Sequence, residues 1–122
     1  MLASIIEREA NDAESMGLVS GILHNRLEIG MALQVDASVA YGLGKPGTDL
    51  TRADWEIDGP YNTYTNAGLP PGPIANPGRI AIRAALNPTP SAYRYYITGQ
   101  DGNFYYAKTL DKHNLNVAKY LR

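Results

Sequence analysis

Cysteine is absent from the 122 residues, which excludes disulfides, thiolate zinc sites and cysteine nucleophiles. Histidine is scarce: His24 and His113 cannot assemble a multi-histidine metal site unaided. No charge of one sign dominates. Eleven basic residues stand against twelve acidic ones, for a net charge of -1 and a pI near 6.1. The basic footprint of a nucleic-acid or anionic-lipid binder is missing. No apolar run approaches the ~20 residues of a membrane span. The first six residues run straight into Glu7-Arg8-Glu9, which does not read as a signal peptide. Phenylalanine and tryptophan occur once each.

What remains is a chain of one domain's length, residues 1–122, with enough apolar content to bury a core. The compartment stays open, because a cysteine-free chain suits cytoplasm and cell envelope equally. Nine of its eleven aromatics are tyrosine. A tyrosine combines a flat apolar face with a hydroxyl at the ring edge. That combination suits sugars, and it equally suits interfacial packing and strands.

Hydrophobic spacing predicts a helix over 2–14, from Leu2, Ile5, Ile6, Ala10 and Ala13, although Asn11–Gly17 admits a break or turn. A second helical pattern covers 18–29 and ends at Gly30, a natural C-cap. A short helix follows over 36–43 with Asp36 at its N-cap. Another opens at Thr51, where Asp54 stands three residues on, and runs to about Ile57. Residues 58–78 hold five prolines and four glycines, so no regular element can pass. Tyr61, Tyr64, Leu69 and Ile74 suit anchors for a rigid, ordered loop. A helix over 79–87 is stopped by Pro88 and Pro90. Strands 93–98 and 103–107 flank Gly99-Gln-Asp-Gly102 and form a hairpin. A last helix opens at Thr109 or Asp111 and carries Leu110, Leu115 and Leu121. The fold class is α+β, mostly helical with a small antiparallel sheet.

Chemistry first suggests itself on the opening helix. At 100° per residue, Glu9 lies about 40° from Ile5 and about 60° from Ile6, within the apolar stripe. Glu7 points further round, toward solvent or a salt-bridge partner. A carboxyl on the buried edge of a stripe is desolvated, its pKa rises, and it becomes a general acid near neutral pH. A surface glutamate at a helix end is the competing reading. Around it, Gln34, Asp36, Tyr61, Asn62 and Tyr64 are hydrogen-bonding types suited to a polar, uncharged ligand. Asn25 and Arg26 read as capping and packing residues, and His113 as structural. Asp49, Asp54, Glu56 and Asp58 read as a solvated acidic face rather than a metal site. No nucleophile elbow surrounds any serine, and no Walker spacing is present.

Ala3-Ser4-Ile5-Ile6-Glu7-Arg8-Glu9, Asn25-Arg26-Leu27, Gly30-Met31, Leu33-Gln34-Val35-Asp36, Tyr41-Gly42, Tyr61-Asn62-Thr63-Tyr64, Gly68-Leu69-Pro70-Pro71-Gly72-Pro73-Ile74, Asn76-Pro77-Gly78 and His113-Asn114 occur in that order. Together they closely resemble the catalytic domain of the MltG-type, YceG-like endolytic murein transglycosylases, along essentially the whole chain. The departures are small: Ala37 follows Asp36 where many members have proline, and the segment around Lys45–Thr48 is short.

The resemblance implies internal cleavage of peptidoglycan strands between N-acetylmuramic acid and N-acetylglucosamine, leaving 1,6-anhydro-muramyl ends. It places the catalytic glutamate, the second of the E-[KR]-E motif, on Glu9. Neither a cofactor nor a metal is expected, since the residues around Glu9 are hydrogen-bonding types rather than metal ligands. Gln34, Asp36, Tyr61, Asn62 and Tyr64 are then the candidates to hold the sugar. The partners it implies are glycan strands and peptidoglycan synthases, with no nucleic acid. The location it implies is the external face of the inner membrane, through an N-terminal anchor that precedes a LysM-like region. Neither segment is recognisable here, so the chain reads as an excised domain or a short member. Two other functions fit the same residues: a murein-binding module without turnover, and a hydrolase using Glu9 and Asp36 as paired carboxylates.

Overall fold

The computed structural model describes residues 1–46 and 50–120. Among these residues, six helices and one hairpin follow in the order α1 (Leu2–Glu9), α2 (Ala13–Glu28), α3 (Asp36–Leu43), α4 (Arg52–Glu56), α5 (Arg79–Leu86), β1 (Tyr95–Thr98), β2 (Phe104–Ala107) and α6 (Leu110–Tyr120). The α+β class expected from the sequence is the class observed. Gly47, Thr48, Asp49 and Leu121 lie outside the described residues.

The core forms where α1, α2 and α5 meet. Ile5 and Ile6 of α1 and Val19 and Leu23 of α2 are fully buried, and they pack with Leu33, Val35, Ile74, Ala81 and Ala84. Small residues let α5 approach closely, while its outer face leaves Ile80, Ile82 and Leu86 exposed. Gly17 and Gly21 open one side of α2 to the segment after α5. A Cβ at Gly21 would lie 2.2 Å from the Thr89 carbonyl oxygen, and Thr89 N–H donates to the Gly17 carbonyl at 3.0 Å.

The first helix is shorter than its apolar spacing suggests. It ends at Glu9, with Ala10 extended, and α2 begins at Ala13 rather than 18. The cause is local: the Asp12 carboxylate accepts the Ser15 N–H at 2.8 Å and caps α2. At α3, Asp36 is the first helical residue and Val35 occupies the cap position. At α4 the expected partner is in place, since the Asp54 carboxylate accepts the Thr51 N–H at 2.9 Å. Asp54 is buried and pairs with Lys45 at 2.7 Å, so it is not part of a solvated face.

Residues 58–78 contain no helix or strand. The loop is ordered from within. Buried Asn62 donates to the carbonyls of Trp55 and Ile57, while its own amide oxygen accepts the N–H groups of Tyr64 and Thr65. Asp58 accepts from Thr65 and Asn66. The loop is also fastened to α1. Ile74 is buried and its N–H donates to Ser4 Oγ at 3.1 Å, whereas Leu69 is exposed rather than buried as an anchor. Glu7 accepts the Gly78 N–H at 2.5 Å. Its partner there is the N-terminus of α5, where a negative charge is favoured by the helix dipole.

The hairpin pairs Tyr96 with Tyr106 and Thr98 with Phe104 in antiparallel register. Its turn closes through Gly102, which adopts a positive φ of 81°. Asn25 at the end of α2 holds the hairpin's entry by donating to the Ser91 and Tyr93 carbonyls at 3.0 and 2.8 Å.

Candidate active site

A cavity of about 480 Å³ opens where the end of α1, the start of α3, the Pro/Gly-rich loop, the hairpin and α6 converge. Glu9 lines it, half-buried, one residue before α1 gives way to extended chain. Gln34 and Asp36 enter from the segment leading into α3. Leu33 and Val35 alternate with them and are fully buried, which turns the two polar side chains to the cavity. Gln34 has a φ of 54°, a left-handed conformation that few non-glycine residues adopt. Such strain persists only where the surroundings impose it, and it concentrates at functional sites. Here Gln34 N–H donates to the Thr63 carbonyl at 3.2 Å, and Val35 N–H to Thr63 Oγ1 at 2.9 Å.

Tyr64 comes from the loop. Its hydroxyl donates to Asp36 Oδ1 at 2.5 Å, and its ring stacks on Trp55 with centroids 5.8 Å apart. The remaining wall is the hairpin, through Tyr96, Ile97 and Thr98, with His113 of α6 beside it. His113 stacks on Tyr95 at 5.1 Å, and its imidazole is pushed below the ordinary range by burial and then by the nearby Arg26.

Arg26 joins two of these walls. It is buried, and its guanidinium donates to the carbonyls of Leu33 and, at 2.7 Å, of Arg94. Burial lowers its pKa, while Tyr96, Tyr95, Tyr64 and Glu9 around it favour the cation.

The electrostatics single out Glu9. Burial raises its pKa from the ordinary 4.5 to about 7, and the negative charge of Asp36 pushes the same way. A hydrogen bond from Tyr96 and the charge of Arg26 oppose this and lose. Tyr96 and Tyr64 are themselves pushed well upward by burial and by the neighbouring carboxylates, so both hydroxyls stay protonated and act as donors. A carboxyl that titrates near 7 among neutral donors exchanges a proton readily at neutral pH.

Of the residues singled out in the sequence, Glu9, Gln34, Asp36 and Tyr64 share this cavity. Tyr61 and Asn62 do not line it. Tyr61 packs on Tyr41 at 5.0 Å in a neighbouring hollow of about 150 Å³, and Asn62 frames the loop. Tyr96 escapes sequence reasoning because its place beside Glu9 depends on the hairpin's docking, which no local spacing encodes. A larger groove of about 640 Å³ lies elsewhere, between the start of α2 and the hairpin turn. Exposed Asn11, Asp12, Glu14 and Asn103 rim it, and it is wet surface rather than a reaction site. Among the described residues, no group of three or more His, Asp or Glu is placed to hold a metal ion.

The YceG-like family model matches residues 1–119. The chain belongs to the YceG-like family. It is 42% identical over 120 residues to the endolytic murein transglycosylase of Bacillus subtilis, covering 98% of this chain and 33% of that protein. It is 36% identical over 126 residues to the endolytic murein transglycosylase of Streptococcus pneumoniae, covering 98% of this chain and 23% of that one. The crystal structure of a YceG-like protein from Listeria monocytogenes superposes with a TM-score of 0.90 at 43% identity, over 94% of this chain and 38% of the other. The chain thus spans a third or less of the curated relatives it matches.

Proposed function

We propose that this YceG-like chain cleaves peptidoglycan glycan strands internally as a lytic transglycosylase, with Glu9 acting first as general acid and then as general base. The observation that carries the reading is a single carboxyl raised to about 7 in a cavity lined by neutral hydrogen-bond donors. The names of the relatives in Bacillus subtilis and Streptococcus pneumoniae support it.

Protonated Glu9 donates to the oxygen linking muramic C1 to the departing N-acetylglucosamine. Positive charge builds at C1. The Glu9 carboxylate then takes the proton of the muramic C6 hydroxyl as that oxygen bonds to C1. One glycosidic bond breaks, one 1,6-anhydro bond forms, and no water is consumed. A hydrolase needs a second carboxyl to activate water or to attack C1. Here the nucleophile belongs to the substrate and is already placed. Gln34, Asp36 and Tyr64 hold the sugar, and Tyr96 and Arg26 moderate the Glu9 charge that appears after the first proton transfer. Tyr61 and Asn62 act one layer out, through the shape of the loop. The setting proposed for the reaction is the cell envelope, where the substrate lies, with murein as partner.

Glu9→Gln removes the proton donor with little change of shape. It is expected to lower release of anhydro-ended glycans by at least the 10²–10⁴-fold typical of one acid–base group, read by mass spectrometry of digested murein. Glu7→Gln, at a carboxyl that accepts the Gly78 N–H outside the cavity, should be milder. Unchanged product from Glu9→Gln removes this residue from the mechanism. Binding of murein without any anhydro product makes the chain a binding module.

The presence of Asp36 in the same cavity as Glu9 favours one second reading, a two-carboxylate muramidase. Digestion in H₂¹⁸O separates the two, because hydrolysis leaves labelled reducing-end muramic acid and the intramolecular route leaves none.

A further inference from the structure

The hairpin meets the Glu9 cavity edge-on. Tyr96, Ile97 and Thr98 all line it, yet successive side chains on a strand point to opposite faces. Three consecutive residues can share one wall only if that wall is the edge of the strand. Among the described residues the sheet has two strands, and none pairs with β1 on that side.

The direction of its backbone groups follows from the register. Gly99 N–H donates to the Asn103 carbonyl at 2.8 Å, and Ile97 pairs with Tyr105. In an antiparallel ladder every second residue bonds inward. Ile97 therefore faces β2, while Tyr96 and Thr98 turn their N–H and C=O outward. The ladder is closed at one end, where Arg26 Nε donates to the Arg94 carbonyl, and Thr98 at the other end is exposed. The open part offers two donors and two acceptors over two residues, about 6.8 Å apart.

We infer that the free β1 edge from Tyr96 to Thr98 binds the peptide stem of the muramyl unit, which adds to the hairpin as a short antiparallel strand. This rests on murein being the substrate. The spacing decides between the two kinds of amide that murein carries. A 2-acetamido group is one isolated amide, and along a β-1,4-linked glycan same-side acetamido groups recur only every second sugar. The stem opens with two amides, one on either side of its first residue, at the repeat of an extended peptide. With that first residue opposite Ile97, the lactyl carbonyl accepts the Thr98 N–H and the second residue's N–H donates to the Tyr96 carbonyl, so each outward residue gains one main-chain bond, which is how strand addition gives affinity. The muramic unit enters the Glu9 cavity, and its lactyl group delivers the stem to the adjacent edge.

The test uses the ¹⁵N-labelled chain and two probes: a disaccharide muropeptide, and the same disaccharide with the stem removed by an amidase. The muropeptide is expected to shift the Tyr96 and Thr98 amide resonances and to slow hydrogen exchange at the Thr98 amide about tenfold, while the bare disaccharide leaves both unmoved. Equal shifts from both probes assign the edge to acetamido groups and overturn the inference. So does the absence of shifts from either.

A second arm uses Thr98→Pro, which deletes an outward N–H and leaves the ladder to β2 intact, as edge strands tolerate. The ratio of kcat/KM on intact to stem-free glycan should fall about tenfold, the loss set by one stem carbonyl left unpaired. An unchanged ratio contradicts the inference. If the wild-type chain cleaves neither glycan, the transglycosylase reading fails, and the amide shifts still decide whether the edge takes the stem.

Discussion

Glu9 is a destabilised residue, and the sign of its effect on folding can be tested. Its pKa is about 7 in the folded chain against 4.5 as an ordinary glutamate. Between those values the folded state binds a proton that the unfolded state has lost. Stability is therefore complete below about pH 4.5 and falls as pH rises through 7. The full loss is about 3 kcal/mol. Glu9→Gln, which carries no charge to bury, should be more stable than wild type by about 2–3 kcal/mol at pH 8 and equal to it near pH 4, as read by urea denaturation at the two pH values. A gap that does not depend on pH contradicts the burial of this carboxyl. Gln34 shows the same exchange of stability for placement, since its left-handed backbone is a strain that turns its amide into the cavity. The phase of Glu9 on the apolar stripe is legible in the sequence because Ile5 and Ile6 set it. The strain at Gln34 is not, because it comes from contacts with Thr63, twenty-nine residues away.

At the scale of elements, the helices and the hairpin follow from local signals, and their boundaries follow from caps. Gly99–Gly102 closes the hairpin as its turn chemistry requires. The first helix ends early because Asp12 captures the Ser15 N–H, a side-chain bond that apolar spacing does not weigh. Glu7 shows the limit of helical phase: the angle gives its direction, but its partner, the Gly78 N–H, comes from seventy-one residues on. Close packing at α2 is likewise a tertiary demand. Gly21→Ala places a methyl against the Thr89 carbonyl. It should destabilise the chain by about 1–3 kcal/mol despite alanine's higher helix propensity. A thermal midpoint equal to that of wild type shows that the segment after α5 yields instead.

Across the whole molecule, the site exists only where distant pieces converge. Glu9 comes from the start of the chain, Gln34 and Asp36 from its first third, Tyr64 from the loop, and Tyr96 and His113 from its end. Arg26 ties two of these walls through the Leu33 and Arg94 carbonyls. Arg26→Met leaves both carbonyls unpaired and should cost about 2–4 kcal/mol of stability. It should also lower turnover further than Glu7→Gln does, as measured on purified murein. Equal activity in the two variants means that the walls hold without the tie. Composition by itself excludes thiol, multi-histidine and polyanion chemistry, and the ordered motifs point to the family. The wall made by Tyr96 and Thr98 is hidden from the sequence, because a strand edge has no signature in its own residues. The converging walls dry one carboxyl. A ¹³C NMR titration of the Glu9 side chain measures that directly. The expected midpoint is near 7, and a midpoint in the ordinary glutamate range of about 4–4.5 contradicts the claim.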